Sequence, residues 1–125
     1  MRRLSKGAAG SSASGTAGTS IADVQAGTER KLVEWFVIAA QTNTAATQVR
    51  VTVTYSDATS TTFDSAAATA HQIFCNAGGG LRLAAGIPDL VTAFSAKDVT
   101  RVQVTTLGTG TGTRYATVSA TEVSL

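Results

Sequence analysis

A chain of 125 residues with a net charge of +2, one cysteine and one histidine has room for one domain and cannot form an intrachain disulfide. Only 14% of residues are charged, against about 25% in ordinary globular domains. Much of the 43% apolar content is alanine, so the expected core is a thin layer. No apolar run approaches the roughly 20 residues that cross a bilayer.

Residues 1–28 read as an extended N-terminal arm and 29–125 as the folded domain. Arg2, Arg3 and Lys6 give residues 1–22 a charge of +3 with no acid, which leaves −1 for the rest. Three cations can dock on an acidic neighbour but fall short of a nucleic-acid footprint. Met1–Lys6 has the charge of a signal-peptide n-region, yet residues 7–20 are all Gly, Ala, Ser and Thr and offer no apolar h-region. Cytoplasmic synthesis and residence are the expectation. In isolation such a stretch behaves as a flexible linker. With Leu4 as their one large aliphatic residue, residues 1–20 are expected to add little to the core.

Lys31–Gln41 is the richest apolar run and reads as a buried strand. Val33, Trp35, Val37 and Ala39 fall on one face, and Leu32, Glu34, Phe36 and Ile38 on the other. Gln48–Ser56 alternates strictly, with Val49, Val51, Val53 and Tyr55 opposite Arg50, Thr52 and Thr54. Ser56-Asp57-Ala58 turns the chain into Thr59–Phe63, a hairpin. Ala66–Ala70 is ambiguous, Gln72–Cys75 a short strand, and Pro88 opens a short helix through Phe94. Alternation returns at Asp98–Leu107 through Val102 and Val104. Gly108–Gly112 reads as a flexible hairpin loop, and a last strand from Arg114 carries Ala116, Val118 and Ala120 on one face. The fold class is therefore all-β, a compact antiparallel β-sandwich of jelly-roll or immunoglobulin-like type. Its core is expected at Trp35, Val37, Val51, Val53, Val102, Val104 and Val118.

Chemistry-bearing patterns are missing. His71 has no Gly-x-Ser-x-Gly elbow or other placed nucleophile to serve. His71 and Cys75, four apart on a strand, are separated by about 13 Å at roughly 3.3 Å per residue, too far for a shared ion. Asp57, Asp64, Asp89 and Asp98 match no calcium loop. Gly108-x-Gly110-x-Gly112 precedes a strand, not the helix a phosphate site requires, and Gly78–Gly80 lacks a phosphate-loop lysine. Trp35 and Tyr55 sit inside apolar alternation and read as core rather than a sugar platform. No enzyme activity, cofactor or metal is expected.

A basic Gly/Ala/Ser arm on a Thr-rich, weakly charged β domain resembles the small β-sandwich virion proteins of tailed bacteriophages, notably head-decoration or cement proteins. The resemblance implies homotrimers on the outside of a capsid, bridging capsomers against internal DNA pressure. It also implies assembly in the host cytoplasm, with further copies of the chain and a major capsid or other virion protein as partners. On that reading Arg2, Arg3, Leu4 and Lys6 form an assembly arm. Two other readings stay open: a tail, minor head or capsid component, and a carbohydrate- or receptor-binding module.

Overall fold

A computed structural model describes residues 3–41, 47–64, 71–75 and 98–124. Eight strands lie within them: β1 Leu4–Ser12, β2 Ser20–Gln25, β3 Arg30–Gln41, β4 Gln48–Tyr55, β5 Ser60–Asp64, β6 His71–Cys75, β7 Val99–Leu107 and β8 Arg114–Ser124. No helix occurs among the described residues, and every strand pair is antiparallel. The helix expected from Pro88 lies outside them, as does Ala66–Ala70.

The strands pair in two ladders, β1–β8–β3–β6 and β2–β7–β4–β5. A single residue pair, Leu32 with Val99, joins them into one branched sheet. Alternation explains which residues meet. β4 buries Val49, Val51, Val53 and Tyr55, while Arg50, Thr52 and Thr54 stay half-buried on the other side. All seven expected core residues are fully buried, and one apolar cluster draws on β2, β3, β4, β7 and β8. Each buried valine contributes roughly 1.5–3 kcal/mol relative to an exposed one. The β4–β5 hairpin also forms as expected. Its turn is closed by Ala58 at φ 68° and by Asp57, whose Oδ1 accepts from the Thr59 amide at 3.1 Å.

Three features depart from the sequence reading. First, β3 is not a simple alternating strand. Between Val33 and Phe36 it advances three residues while β8 advances two, from Thr121 to Ser119. This bulge places Glu34 in the left-handed region at φ 51°. Leu32 and Trp35, read on opposite faces, therefore both enter the core, and Phe36 and Ile38 are left on an outer face. Second, Gly108–Gly112 is no hairpin loop. It joins β7 to β8, which belong to different ladders and do not pair.

Third, the segment read as an arm is built into the sheet. Leu4–Ser12 pairs with β8 along its full length, from Leu4 opposite Glu122 to Ser12 opposite Arg114. Ser20–Gln25 pairs with β7. The residues between are tied down as well: the Thr106 hydroxyl donates to the Thr16 carbonyl at 2.6 Å, and the Gly18 amide donates to the Thr106 carbonyl at 2.9 Å. The small side chains that suggested a linker are what the packing needs. β2 carries its own bulge at Ile21, and a Cβ on Gly10 would overlap the Ile21 carbonyl oxygen.

Candidate functional site

Of the four residues expected to reach a neighbouring subunit, Arg2 lies outside the described residues. The others are placed by β1. Leu4 is half-buried. Arg3 Nη1 lies 3.7 Å from Glu34 Oε2, and both side chains are more than half exposed, a geometry of little energetic weight. Lys6 Nζ lies 3.4 Å from Glu122 Oε2. Arg3 and Lys6 thus each lie beside an acid of their own chain, Arg3 loosely and Lys6 at the buried Glu122.

Glu122 is the centre of this end of the molecule. It is buried on β8, accepts from the Gly27 amide at 2.8 Å, and lies 3.5 Å from Arg30 Nη1. One carboxylate therefore ties β8 to β1 through Lys6 and to the β2–β3 turn through Gly27 and Arg30. The Gly27 amide is the main reason the carboxyl titrates below the ordinary glutamate value. Lys6 and Arg30 act in the same direction, and burial partly opposes them. A depressed folded value means that the unfolded chain takes up the proton first as pH falls. The stabilisation is then complete above about pH 4.3, the unfolded value, and is lost as pH falls through the folded value. In denaturant titrations, wild type should exceed Glu122→Gln in stability near neutral pH. That gap should close on acidification below about pH 4. A gap that stays constant from neutral to strongly acidic pH would contradict the charge-based role.

At the other end Arg114 is fully buried, with no acid against it among the described residues. Its guanidinium donates only to backbone carbonyls, those of Gln48, Ser14, Gly112, Leu107 and Gly110. Every donor is used, so Arg114 has none to offer an anion. Desolvation pulls its pKa down from the usual arginine value.

The two outer faces of the sheet differ in kind. On β2–β7–β4–β5 the surface is polar, and its charges are paired. Arg50 clasps Asp64 at 2.7 and 3.1 Å, and Arg101 clasps Asp23 at 2.9 and 2.7 Å. On β1–β8–β3 the face carries hydroxyl, methyl and aromatic groups, with the exposed Arg3–Glu34 pair at one end. The cross-strand rows run Gly7–Ser119–Phe36, Ala9–Thr117–Ile38 and Ser11–Tyr115. Phe36, Ile38 and Tyr115 are exposed by 38%, 43% and 56%, and they are the large apolar residues standing in solvent among those described. In the sequence β3 is apolar on both sides, which gives this face no signature of its own, and Tyr115 is an isolated aromatic between Arg114 and Ala116. Trp35 and Tyr55, weighed for a sugar platform, are both buried.

β6 is a strand, which keeps the backbones of His71 and Cys75 at its opposite ends. No group of three or more His, Cys, Asp or Glu residues is gathered among the described residues. No family model, no curated protein and no solved structure matches the chain.

Proposed function

We propose that this chain is a structural virion protein, a head-decoration or cement protein of β-sandwich build, with its two ladders stacked face to face in jelly-roll order. The strand pairing carries this reading. In an eight-stranded jelly roll the ladders run 1-8-3-6 and 2-7-4-5, which is the pairing of this chain. That build serves viral capsid proteins and lectins alike, so the choice between them rests on the surface. A glycan site needs amide, carboxylate or guanidinium groups beside an exposed ring. In the rows of Phe36 and Tyr115 the described side chains on β1 and β8 offer hydroxyls and methyls, and the nearest carboxylate and guanidinium, Glu34 and Arg3, are paired with each other at the end of the face. Low overall charge and an outer face whose described charges are limited to the Arg3–Glu34 pair suit a protein whose surface is covered by other subunits.

The proposed partners are further copies of the chain and a shell protein of the particle. Because β1 is consumed by its own sheet, bridging is assigned to exposed surface rather than to a free arm. Particles banded on a density gradient from a culture producing the protein, probed with antibody against it, test the reading. Co-sedimentation at a fixed ratio to the major shell protein is expected. Confinement to the soluble fraction, or saturable binding on a glycan array, would overturn it.

A further inference from the structure

We infer that the outer face of β1–β8–β3 is the contact between two copies of this chain, related by a two-fold axis running along β8. This does not depend on the virion reading.

The choice of occupant follows from charge and shape. A partner presenting ionised groups would have to desolvate them against Phe36, Ile38 and Tyr115 with no counter-charge among the described side chains of these rows, since Arg3 and Glu34 at the end of the face are paired with each other. Of the two outer faces, β2–β7–β4–β5 presents Arg50, Asp64, Arg101 and Asp23 and is therefore unsuited. The described face that matches a surface apolar along these rows, with a single self-paired charge at its end, is the same face on a second copy.

Its relief also complements itself. Small residues line one edge strand, with Gly7 and Ala9 on β1, and large ones stand two strands away, with Phe36 and Ile38 on β3. Rotation by 180° about an axis lying along β8 in the contact plane exchanges β1 and β3 while keeping each row at its own height. Phe36 of one copy then lies over Gly7 of the other, and Ile38 over Ala9. Each large side chain fills the space left by a small one. Tyr115, on the axis strand, meets its own copy near the axis. Strands of the two faces run aligned, the usual arrangement for stacked sheets. The contact uses one patch twice and closes at two copies, so a trimer cannot be built through it.

Sedimentation velocity and native mass spectrometry of the full chain test this directly. Wild type should be a concentration-dependent dimer. Ile38→Lys should weaken dimerisation by about 100-fold or more, because it buries an unpaired cation, with an unchanged circular dichroism spectrum. Ile38→Thr, which keeps strand propensity, should weaken it less. Ala9→Glu alone should also yield monomers. The double variant Ala9→Glu/Ile38→Lys should recover dimers that dissociate in high salt, since position 9 of each copy faces position 38 of the other. Monomeric wild type at high concentration, a trimer mass, or a dimer indifferent to Ile38→Lys would overturn the proposal. Failure of the double variant to restore what both single variants lose would overturn the two-fold arrangement along β8.

Discussion

Replacing Arg114 with methionine is expected to lower the unfolding free energy by about 3–5 kcal/mol, a large share of the 5–15 kcal/mol that holds a domain together. The Arg114 donors lie 2.6 Å from the Gln48 carbonyl, 3.0 Å from Ser14, 2.8 Å from Leu107, 3.0 Å from Gly110 and 3.4 Å from Gly112. Methionine keeps much of the length and none of the donors. Counting five orphaned carbonyls at 1–3 kcal/mol each would overstate the loss. Gly110 and Gly112 lie in a half-exposed loop and can turn to water, whereas Gln48 and Ser14 are held in place by the strands they adjoin. Arg114→Lys should recover only part of the loss, because one ammonium with three donors cannot span carbonyls on three separate segments. Urea unfolding at constant m-value reads the difference. In thermal melts a drop of roughly 12–20 °C corresponds to it for a chain of this size. A methionine variant within about 1 kcal/mol of wild type would mean that the carbonyls find water without cost.

Arg114 also shows where sequence legibility stopped. In the sequence it follows Gly-Thr-Gly-Thr-Gly-Thr and reads as the first residue of a strand. Its role depends on β4, the residues after β1 and the β7–β8 connection arriving at one point, and that convergence leaves no local trace. By contrast, the alternation of Val49, Val51, Val53 and Tyr55 is a property of the strand itself. The β4–β5 hairpin, β7, β8 and the seven core residues were legible for that reason. The bulges at Glu34 and Ile21 exist only relative to partner strands, so simple alternation along β3 puts Leu32 on the wrong face relative to Trp35. The Gly108–Gly112 loop looked like a hairpin because adjacent strands usually pair. In this chain the pairing of β8 with β1 and β3 decides otherwise. The candidate site was the least legible part. Lys6 was visible as a cation, but its partner Glu122 lies at the far end of the chain.

The N-terminal segment supplies the second large expected effect, through two glycines three residues apart on one strand. Gly10 faces inward over β2, where an added Cβ would collide with the Ile21 carbonyl oxygen, a backbone atom in a bulge that cannot swing aside as a side chain would. Gly7 faces outward, and an added Cβ would lie 3.4 Å from the Val118 carbonyl oxygen, at the edge of ordinary contact. Intrinsic propensity treats the two alike: Gly→Ala in a strand reduces unfolded-chain entropy and should stabilise slightly. Geometry separates them. Gly10→Ala should destabilise by about 2–3 kcal/mol, the usual cost of forcing extra volume into a packed site, as β1 is pushed off β2. Gly7→Ala should stay within about 0.5 kcal/mol of wild type. Both are measured by denaturant unfolding at low protein concentration, so that self-association does not contribute. Hydrogen exchange at the β1 amides, from Leu4 to Ser12, locates the damage. Faster exchange there in Gly10→Ala alone is the expected pattern. Equal, small effects at both positions would mean that β1 does not press against β2, and that residues 1–12 are a dispensable arm after all.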